Sequence, residues 1–306
     1  MFLMADMGGT NIRFAVFNGQ RTIALTYYKC ADFSTFSDVI KAYREKIGKL
    51  PPSFILAVPG PSAQTKYAFV NNPWRFSVSD LKKEFSFKSI HIVNDFEAAA
   101  MAIPFLTSKD VVQVKSGKAL PTFPKLIIGA GTGLGVGILL PLAKGKYKAV
   151  PSEGGHITLC DTNAQENKIK QFVMEKYGRA SAEHFISGLG LKNIYQALTG
   201  NIETPENIIE RAVNGDNSCR QAMLQMFAFW GDVTGDLALT IGAFGGIYLT
   251  GGIIRIDGVF DLFKQSKFLE RFECKGRHTR LMQNIPVKVI AQKDTVFRGL
   301  KSIGLS

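Results

Sequence analysis

The chain reads as an α/β protein of two domains, each a mixed sheet with helices on its faces, meeting at a cleft lined by glycine turns. Three observations lead there. With 306 residues, 46% of them hydrophobic, the chain is long enough for two domains of ordinary size. An apolar strand runs into a Gly-Gly-Thr turn and straight back out between residues 2 and 17, and a second strand, glycine turn and strand follow between 126 and 140. The order three strands, helix, strand, helix occurs twice, which suggests an internal duplication.

Strands are expected near 2–7, 12–18 and 22–29, then an amphipathic helix near 35–47 in which Phe36, Val39, Ile40 and Tyr43 repeat at helical spacing. Phe54 to Val58 reads as a buried strand stopped by Pro59-Gly60-Pro61, Ser79 to Phe85 as a short helix, and Ile90 to Val93 as a strand ended by Asn94-Asp95. The alanine-rich segment Phe96 to Phe105 follows as a buried helix interrupted at its end by Pro104. After the second hairpin, a strand near 146–150 precedes a helical region from about 163 to 243 that carries Leu224, Phe227, Ala228, Leu237 and Ile241 on a strongly apolar helix. The strand Ile247 to Leu249 enters the turn Thr250-Gly251-Gly252, and a last strand, Val287 to Ile290, precedes a short basic terminal helix. The expected division is a smaller N-terminal domain, 1–108, joined by the C-terminal helix 293–306, and a larger domain, 109–292.

Composition excludes several classes. Leu126 to Ala143 carries no charge, yet five of its residues are glycines on alternate positions and one is Pro141, so it reads as two short strands rather than a membrane span. Met1-Phe2-Leu3-Met4 lacks both a basic leader and a sustained apolar run, and the cytoplasm is the expected location. Cys30, Cys160, Cys219 and Cys274 form no C-x-x-C pair, which argues against disulfides and thiolate zinc and for buried free thiols. His156 and Cys160 sit four apart without a second pair, too little for a metal site. Residues 255–306 hold eleven Lys/Arg against five Asp/Glu, part of a formal charge of +12. These charges alternate with Phe, Leu and Ile at amphipathic spacing, the pattern of a solvated face rather than a nucleic-acid-binding arm.

The chemistry-bearing turns come next. In Asp6-Met7-Gly8-Gly9-Thr10-Asn11-Ile12-Arg13 the glycines let backbone N–H groups approach an anion, the Thr10 hydroxyl adds a donor and Asp6 offers a carboxylate to a hydrated divalent cation; on these residues alone a plain β-turn stays open. Gly129-Ala130-Gly131-Thr132-Gly133-Leu134-Gly135 has the spacing G-x-G-x-G-x-G and leads into a strand, so a Rossmann fingerprint fails. Neither a G-x-x-x-x-G-K-[ST] loop nor a protein-kinase H-R-D signature occurs.

D-M-G-G-T-N-I-R, the V-N-D-F run at 93–96, G-A-G-T-G-L-G, E-G-G-H at 153–156, A-E at 182–183 before S-G-L-G-L, and F-G-G-I-Y-L-T-G-G-I at 244–253 together resemble the bacterial glucokinases over nearly the whole chain. The resemblance implies the actin and hexokinase type of fold, two ribonuclease-H-like domains around a central cleft. The cysteine cluster of the neighbouring zinc-binding sugar kinases is missing. It also implies ATP-dependent phosphorylation of glucose at the 6-hydroxyl, with Asp95 as general base. A carboxylate at a strand's C-terminal end suits that task, and the same position also suits an N-cap of the next helix.

By the same resemblance Asn94, Glu153, His156 and Glu183 bind the sugar hydroxyls, while Glu153 and His156 read otherwise as a polar loop and Glu183 as a solvated charge. Asp6, Gly8, Gly9, Thr10 and Asn11 hold magnesium-bound phosphates, with Asp6 toward Mg2+; Gly131, Thr132 and Gly133 close on them, and Gly251 and Gly252 meet the adenosine. Arg13 either orients the first turn or serves as a surface ion-pair partner. Leu189 replaces the proline of many relatives, which is expected to loosen the loop after Glu183 and alter sugar fit. Lys293 to Gly299 departs from the usual small-residue helix start. Relatives are often dimers, and the apolar helices between 204 and 243 offer either a homodimer interface or plain core. The alternatives are a kinase for mannose, fructose or an amino sugar, a sugar-responsive regulator, and a filament or chaperone ATPase. Because only five residues precede Asp6, no N-terminal helix-turn-helix domain is expected.

Overall fold

In a computed structural model, residues 1–69 and 73–305 are described. The chain forms two compact units, Met1–Leu106 with Lys293–Ser306, and Thr107–Gln292. In the first unit β1 (Phe2–Met7), β2 (Asn11–Phe17) and β3 (Thr22–Lys29) form an antiparallel meander, followed by α1 (Phe36–Ile47) and β4 (Ser53–Val58). The pair β5 (Lys66–Ala68) and β6 (Arg75–Ser77) precedes α2 (Val78–Phe85), β7 (Ser89–Asn94) and α3 (Asp95–Ala102). The sheet order is β3-β2-β1-β4-β7, with β1, β4 and β7 mutually parallel.

Side-chain alternation along β1 sorts the two cores of this unit. Leu3, Ala5 and Met7 face the cluster that contains Phe36, Val39, Ile40 and Tyr43 of α1, the four positions whose spacing marked the helix. Phe2 and Met4 face the opposite cluster, which holds Ala98 of α3 together with Phe297 and Leu300.

The second unit opens with β8 (Val111–Lys115), a strand that sequence reading missed, then β9 (Lys125–Ala130), β10 (Leu134–Pro141) and β11 (Tyr147–Ser152). Four helices follow, α4 (Ala164–Tyr177), α5 (Gly188–Thr199), α6 (Pro205–Val213) and α7 (Asn217–Ile241), before β12 (Ile247–Thr250). The segment between β12 and β13 (Val287–Ile290) folds into α8 (Val259–Gln265), α9 (Phe268–Glu273) and α10 (Thr279–Gln283). The sheet order β11-β10-β9-β12-β13-β8 repeats that of the first unit with β8 added at the edge. Leu126, Ile128 and Ala130 of β9 and Ile247 and Leu249 of β12 face one core with Met223, Phe227 and Trp230 of α7. The apolar face of α7 is therefore interior and is not available as an interface between copies.

Two composition expectations change. Cys30 and Cys219 are buried as free thiols, but Cys160 and Cys274 are exposed, because one lies in a polar loop and the other caps the end of α9. Part of the basic excess after residue 255 is internal: Arg271 pairs with Glu166 and Asp232, and Lys275 with Asp232 and Asp236.

The last helix, α11 (Thr295–Ile303), returns to the first unit and resolves how its unusual start packs. Gly299 lies against α3 so closely that a Cβ there would fall 1.6 Å from the Ala98 carbonyl oxygen. A methyl group at this crossing forces the two helices apart. The Gly299→Ala variant is expected to lose about 3 kcal/mol of unfolding free energy, the upper part of the usual overpacking range. Urea titration checks this, and an unchanged midpoint would show that the helices meet elsewhere.

Candidate active site

The parallel register places the candidate residues of the first unit. Asp6 pairs with Ala57, and Ala57 with Val93, so the C-terminal ends of β1, β4 and β7 emerge along one edge of the sheet. Open α/β sheets bind ligands at such an edge. Asp6, the Gly8–Asn11 turn, Asn94 and Asp95 all lie there.

Asp6 also faces Arg13 across the β1–β2 hairpin. Arg13 donates to Asp6 Oδ2 through Nε at 3.1 Å and through a second guanidinium nitrogen. Its third nitrogen reaches Asp294 Oδ1 at 3.3 Å, and its carbon stands 5.2 Å from the centre of the Phe297 ring. Burial works against the charge of Arg13, but the charge of Asp6 and hydrogen bonds to Asp6 and Tyr27 outweigh it and hold its pKa above the ordinary value. Arg13 is thus a partly buried clamp between Asp6 and the start of α11, not a surface ion-pair partner. Both of its bonds to Asp6 fall on Oδ2, so the Oδ1 side of the carboxylate keeps its acceptor capacity.

The first turn is closed by the Gly8 N–H donating to Asn11 O at 2.8 Å, and Thr10 O accepts from the Cys30 N–H at 2.8 Å. Neither Gly8 nor Gly9 has positive φ. Their lack of side chains, rather than a left-handed backbone, is what the turn uses.

At the end of β7 the cap is Asn94, not Asp95. Asn94 Oδ1 accepts from the N–H groups of Phe96 at 2.9 Å and Glu97 at 3.1 Å, while Glu97 accepts from the Asn94 N–H to complete a capping box. Asn94 also donates to Gly60 O at 3.1 Å, so one amide hydrogen of its two carries on to other acceptors. Asp95 occupies the first helical position, where Oδ1 accepts from the Phe96 N–H at 2.9 Å. Burial pushes the Glu97 carboxyl up, partly offset by the Asn94 N–H, the charge of His91 and a hydrogen bond from Ser62. The pattern N-D-F-E was present in the sequence as the signature of this box.

The second unit gathers the other residues. The turn between β9 and β10 is closed by the Gly131 N–H donating to Gly133 O at 2.9 Å. Gly251, at φ +116°, packs on it: a Cβ there would lie 2.1 Å from Ala130 O, so both backbone conformation and space require glycine. Gly131, Thr132 and Gly252 then line a cavity of about 750 Å³ whose apolar walls are Leu189 and Pro205 with Ile209 on one side and Ile253 with Ile256 on the other. Leu189, 40% exposed, belongs to this wall because α5 starts at Gly188, one residue earlier. The segment after Glu183 is held by Ser187, whose Oγ accepts from the Gly190 N–H at 2.9 Å and donates to Glu183 O at 2.7 Å.

Glu153 and His156 bracket a short turn, with their side chains 3.9 Å apart and both about half exposed. Arg179 donates to the His156 carbonyl at 3.0 Å, a contact no sequence pattern signals. The segments 157–159 and 180–182 run antiparallel, through Ala182 N–H to Ile157 O at 2.8 Å and Leu159 N–H to Ala180 O at 3.0 Å. That register brings His156 and Glu183 to the same end. Glu183 is no solvated charge: its Oε2 accepts from the Leu134 N–H at 2.9 Å, at the exit of the second glycine turn.

Among the described residues no group of three or more His, Cys, Asp or Glu could hold a metal, and none of the helices is long and apolar enough to cross a membrane. The Asn94→Ala variant is expected to lose about 1 to 2 kcal/mol, the cost of a helix cap, in chemical denaturation, and Asn94→Asp to recover most of it. Equal losses for both variants would show that the cap is not what Asn94 supplies.

A family model described as Glucokinase matches residues 3–305. A glucokinase of Helicobacter pylori is 37% identical over 99% of this chain and 94% of its own length. The bifunctional protein glk of Paraburkholderia xenovorans is 36% identical over 98% of this chain, which spans 48% of that longer protein. Among solved structures, a glucokinase from an Antarctic psychrotroph superposes with a TM-score of 0.84 at 30% identity, over 99% of this chain and 98% of that one. The chain belongs to the glucokinase family, and its repeated mixed sheets are that family's two-domain α/β fold.

Proposed function

We propose that the protein transfers the γ-phosphoryl group of ATP to the 6-hydroxyl of D-glucose, with Asp95 as general base. The observation that carries this reading is the division of labour at the end of β7. Asn94 supplies the cap and the capping box, while Asp95 stands at the first position of α3, at the ligand-binding edge of a parallel sheet, where a carboxylate suits the proton of an attacking alcohol.

The remaining roles follow from donor and acceptor chemistry. Asn94, Glu153, His156 and Glu183 are assigned to the sugar hydroxyls, since carboxylates accept from vicinal hydroxyls and an amide or imidazole does both. Gly8, Gly9, Thr10 and Asn11 from the smaller domain, 1–108 with 293–306, take the phosphates, together with Gly131, Thr132 and Gly133 from the larger domain, 109–292. The N–H groups of Gly8 and Gly131 close their own turns, so Gly9, Thr10, Thr132 and Gly133 are the natural phosphate donors. Gly252 lines the apolar cavity, which takes the flat adenine base, and Gly251 beside it seats the turn on Ala130. Asp6, with Arg13 behind it, suits a magnesium ion that takes its other ligands from phosphate and water; the ion would supply charge neutralisation on the phosphates. Little covalent chemistry is left to the protein, and positioning in line carries most of the acceleration. The same reading places the reaction in the cytoplasm.

Two measurements test it. Asp95→Ala is expected to lower kcat by about 10²-fold or more, the range of a removed general base, while ATP binding persists. Glucose-dependent ADP release at the wild-type rate would refute the base. Leu189→Ala, which thins one wall of the cavity, is expected to raise the KM for ATP about threefold to tenfold, as expected for several lost methylene contacts, with the KM for glucose unmoved. A change in the glucose KM alone would return Leu189 to the sugar side.

A further inference from the structure

Glu183 touches more than its assigned ligand. We infer that Glu183 is a positioning residue for the Gly131–Gly133 turn, so that occupancy of its carboxylate by sugar hydroxyls sets the turn that grips phosphate. This inference rests on the sugar and phosphate assignments above.

The turn is held at both ends by one segment. Gly188 donates its N–H to Gly131 O at 2.9 Å on the entry side, and Glu183 Oε2 accepts from the Leu134 N–H at 2.9 Å on the exit side. Leu134 is the first residue of β10 and pairs with Ala130, so its N–H marks where the turn ends and the ladder begins. The carboxylate sits so close to the turn that a Cβ on Gly133 would fall 2.4 Å from Oε2. The backbone of Glu183 is itself anchored by Ser187 Oγ, which is fully buried and donates to Glu183 O.

A carboxylate has acceptor sites on two oxygens. With Oε2 on Leu134, Oε1 keeps its acceptor sites, and the antiparallel register of 157–159 and 180–182 brings Glu183 and His156 to the same end of the pair. Glu183 is only partly buried, and its side chain has three torsions to order. Hydroxyl donors on Oε1 hold those torsions and with them the bond to Leu134. The same leucine touches the sugar loop from the other side, since a Cβ on Gly155 would lie 2.0 Å from Leu134 O. Linkage then runs both ways: whatever factor sugar adds to nucleotide affinity, nucleotide adds to sugar affinity.

Steady-state kinetics and calorimetry on three variants separate the roles. Glu183→Ala is expected to raise the KM for both glucose and ATP, each about tenfold, the size of one lost charge-assisted hydrogen bond. Glu183→Gln keeps a carbonyl oxygen for the Leu134 N–H, so the KM for ATP should return to within about threefold of wild type while the KM for glucose stays raised. Gly133→Ala touches no sugar, yet it should weaken calorimetric glucose binding in the absence of nucleotide, because its methyl displaces Oε2. An unmoved ATP KM in Glu183→Ala overturns the inference and leaves a plain sugar ligand. A raised ATP KM with an unmoved glucose KM overturns the sugar assignment itself and leaves a structural staple. Should Glu183→Ala fail to fold by circular dichroism, the other two decide: glucose binding of wild-type strength in Gly133→Ala refutes the coupling.

Discussion

Backbone N–H groups released at the end of a strand or turn need acceptors, and this constraint shapes three places among the candidate site residues. Leaving them unmet in a partly buried setting costs about 1 to 3 kcal/mol each. At the start of α3 Asn94 meets two of them, at the start of α5 Ser187 meets one, and at the exit of the second glycine turn Glu183 meets one. Each acceptor is a polar side chain placed where the fold already needs it. Under the proposed assignments, the chemistry uses the lone pairs and hydrogens that folding leaves over, such as the second amide hydrogen of Asn94 and Oε1 of Glu183.

Glycine supplies the complementary constraint, through space more often than through φ. Gly299, Gly251 and Gly155 each sit where a Cβ would fall within 2.1 Å of a backbone carbonyl oxygen, and only Gly251 among these three has a positive φ. The three contacts fix, in turn, α11 on α3, the β12 turn on β9, and the 153–156 turn on β10. A glycine in this chain is therefore mostly a record of two backbones in contact.

That distinction explains what the sequence could and could not disclose. The hairpins, the buried strands and α1 were legible because alternation and helical spacing are local, and the four apolar positions of α1 all reach the core. β8 was not, since Val-Val-Gln-Val-Lys is short, mostly half-exposed, and made into a strand only by pairing with β13 far along the chain. The helices between β12 and β13 were hidden by their brevity. At the site, N-D-F-E named its own capping box, and reading Asp95 as the cap overlooked that asparagine fits the non-helical cap position equally well while Glu97 completes the reciprocal bond only with Asn94. Glu183 and Leu134 are 49 residues apart, and no pattern within either segment announces their bond. The place of Leu189 in a cavity wall was hidden for the same reason: Pro205, Ile209 and Ile253, which line that cavity with it, come from other elements.

The two glycine turns, alike in sequence, are supported differently, and the difference has a functional sense. The first is tied to its own sheet by the Cys30 N–H on Thr10 O and by the Arg13 clamp on Asp6, contacts that involve none of the residues assigned to sugar except through the common sheet edge. The second is tied to Gly188 and to Glu183, and Glu183 is itself assigned to sugar. A duplicated hairpin thus gives one turn whose shape is set by folding alone and one whose shape depends on a group that a hydroxyl can orient. Under the proposed assignments, nucleotide can meet the first turn whether or not sugar is bound, while full engagement of the second waits for the acceptor, which disfavours phosphoryl transfer to water.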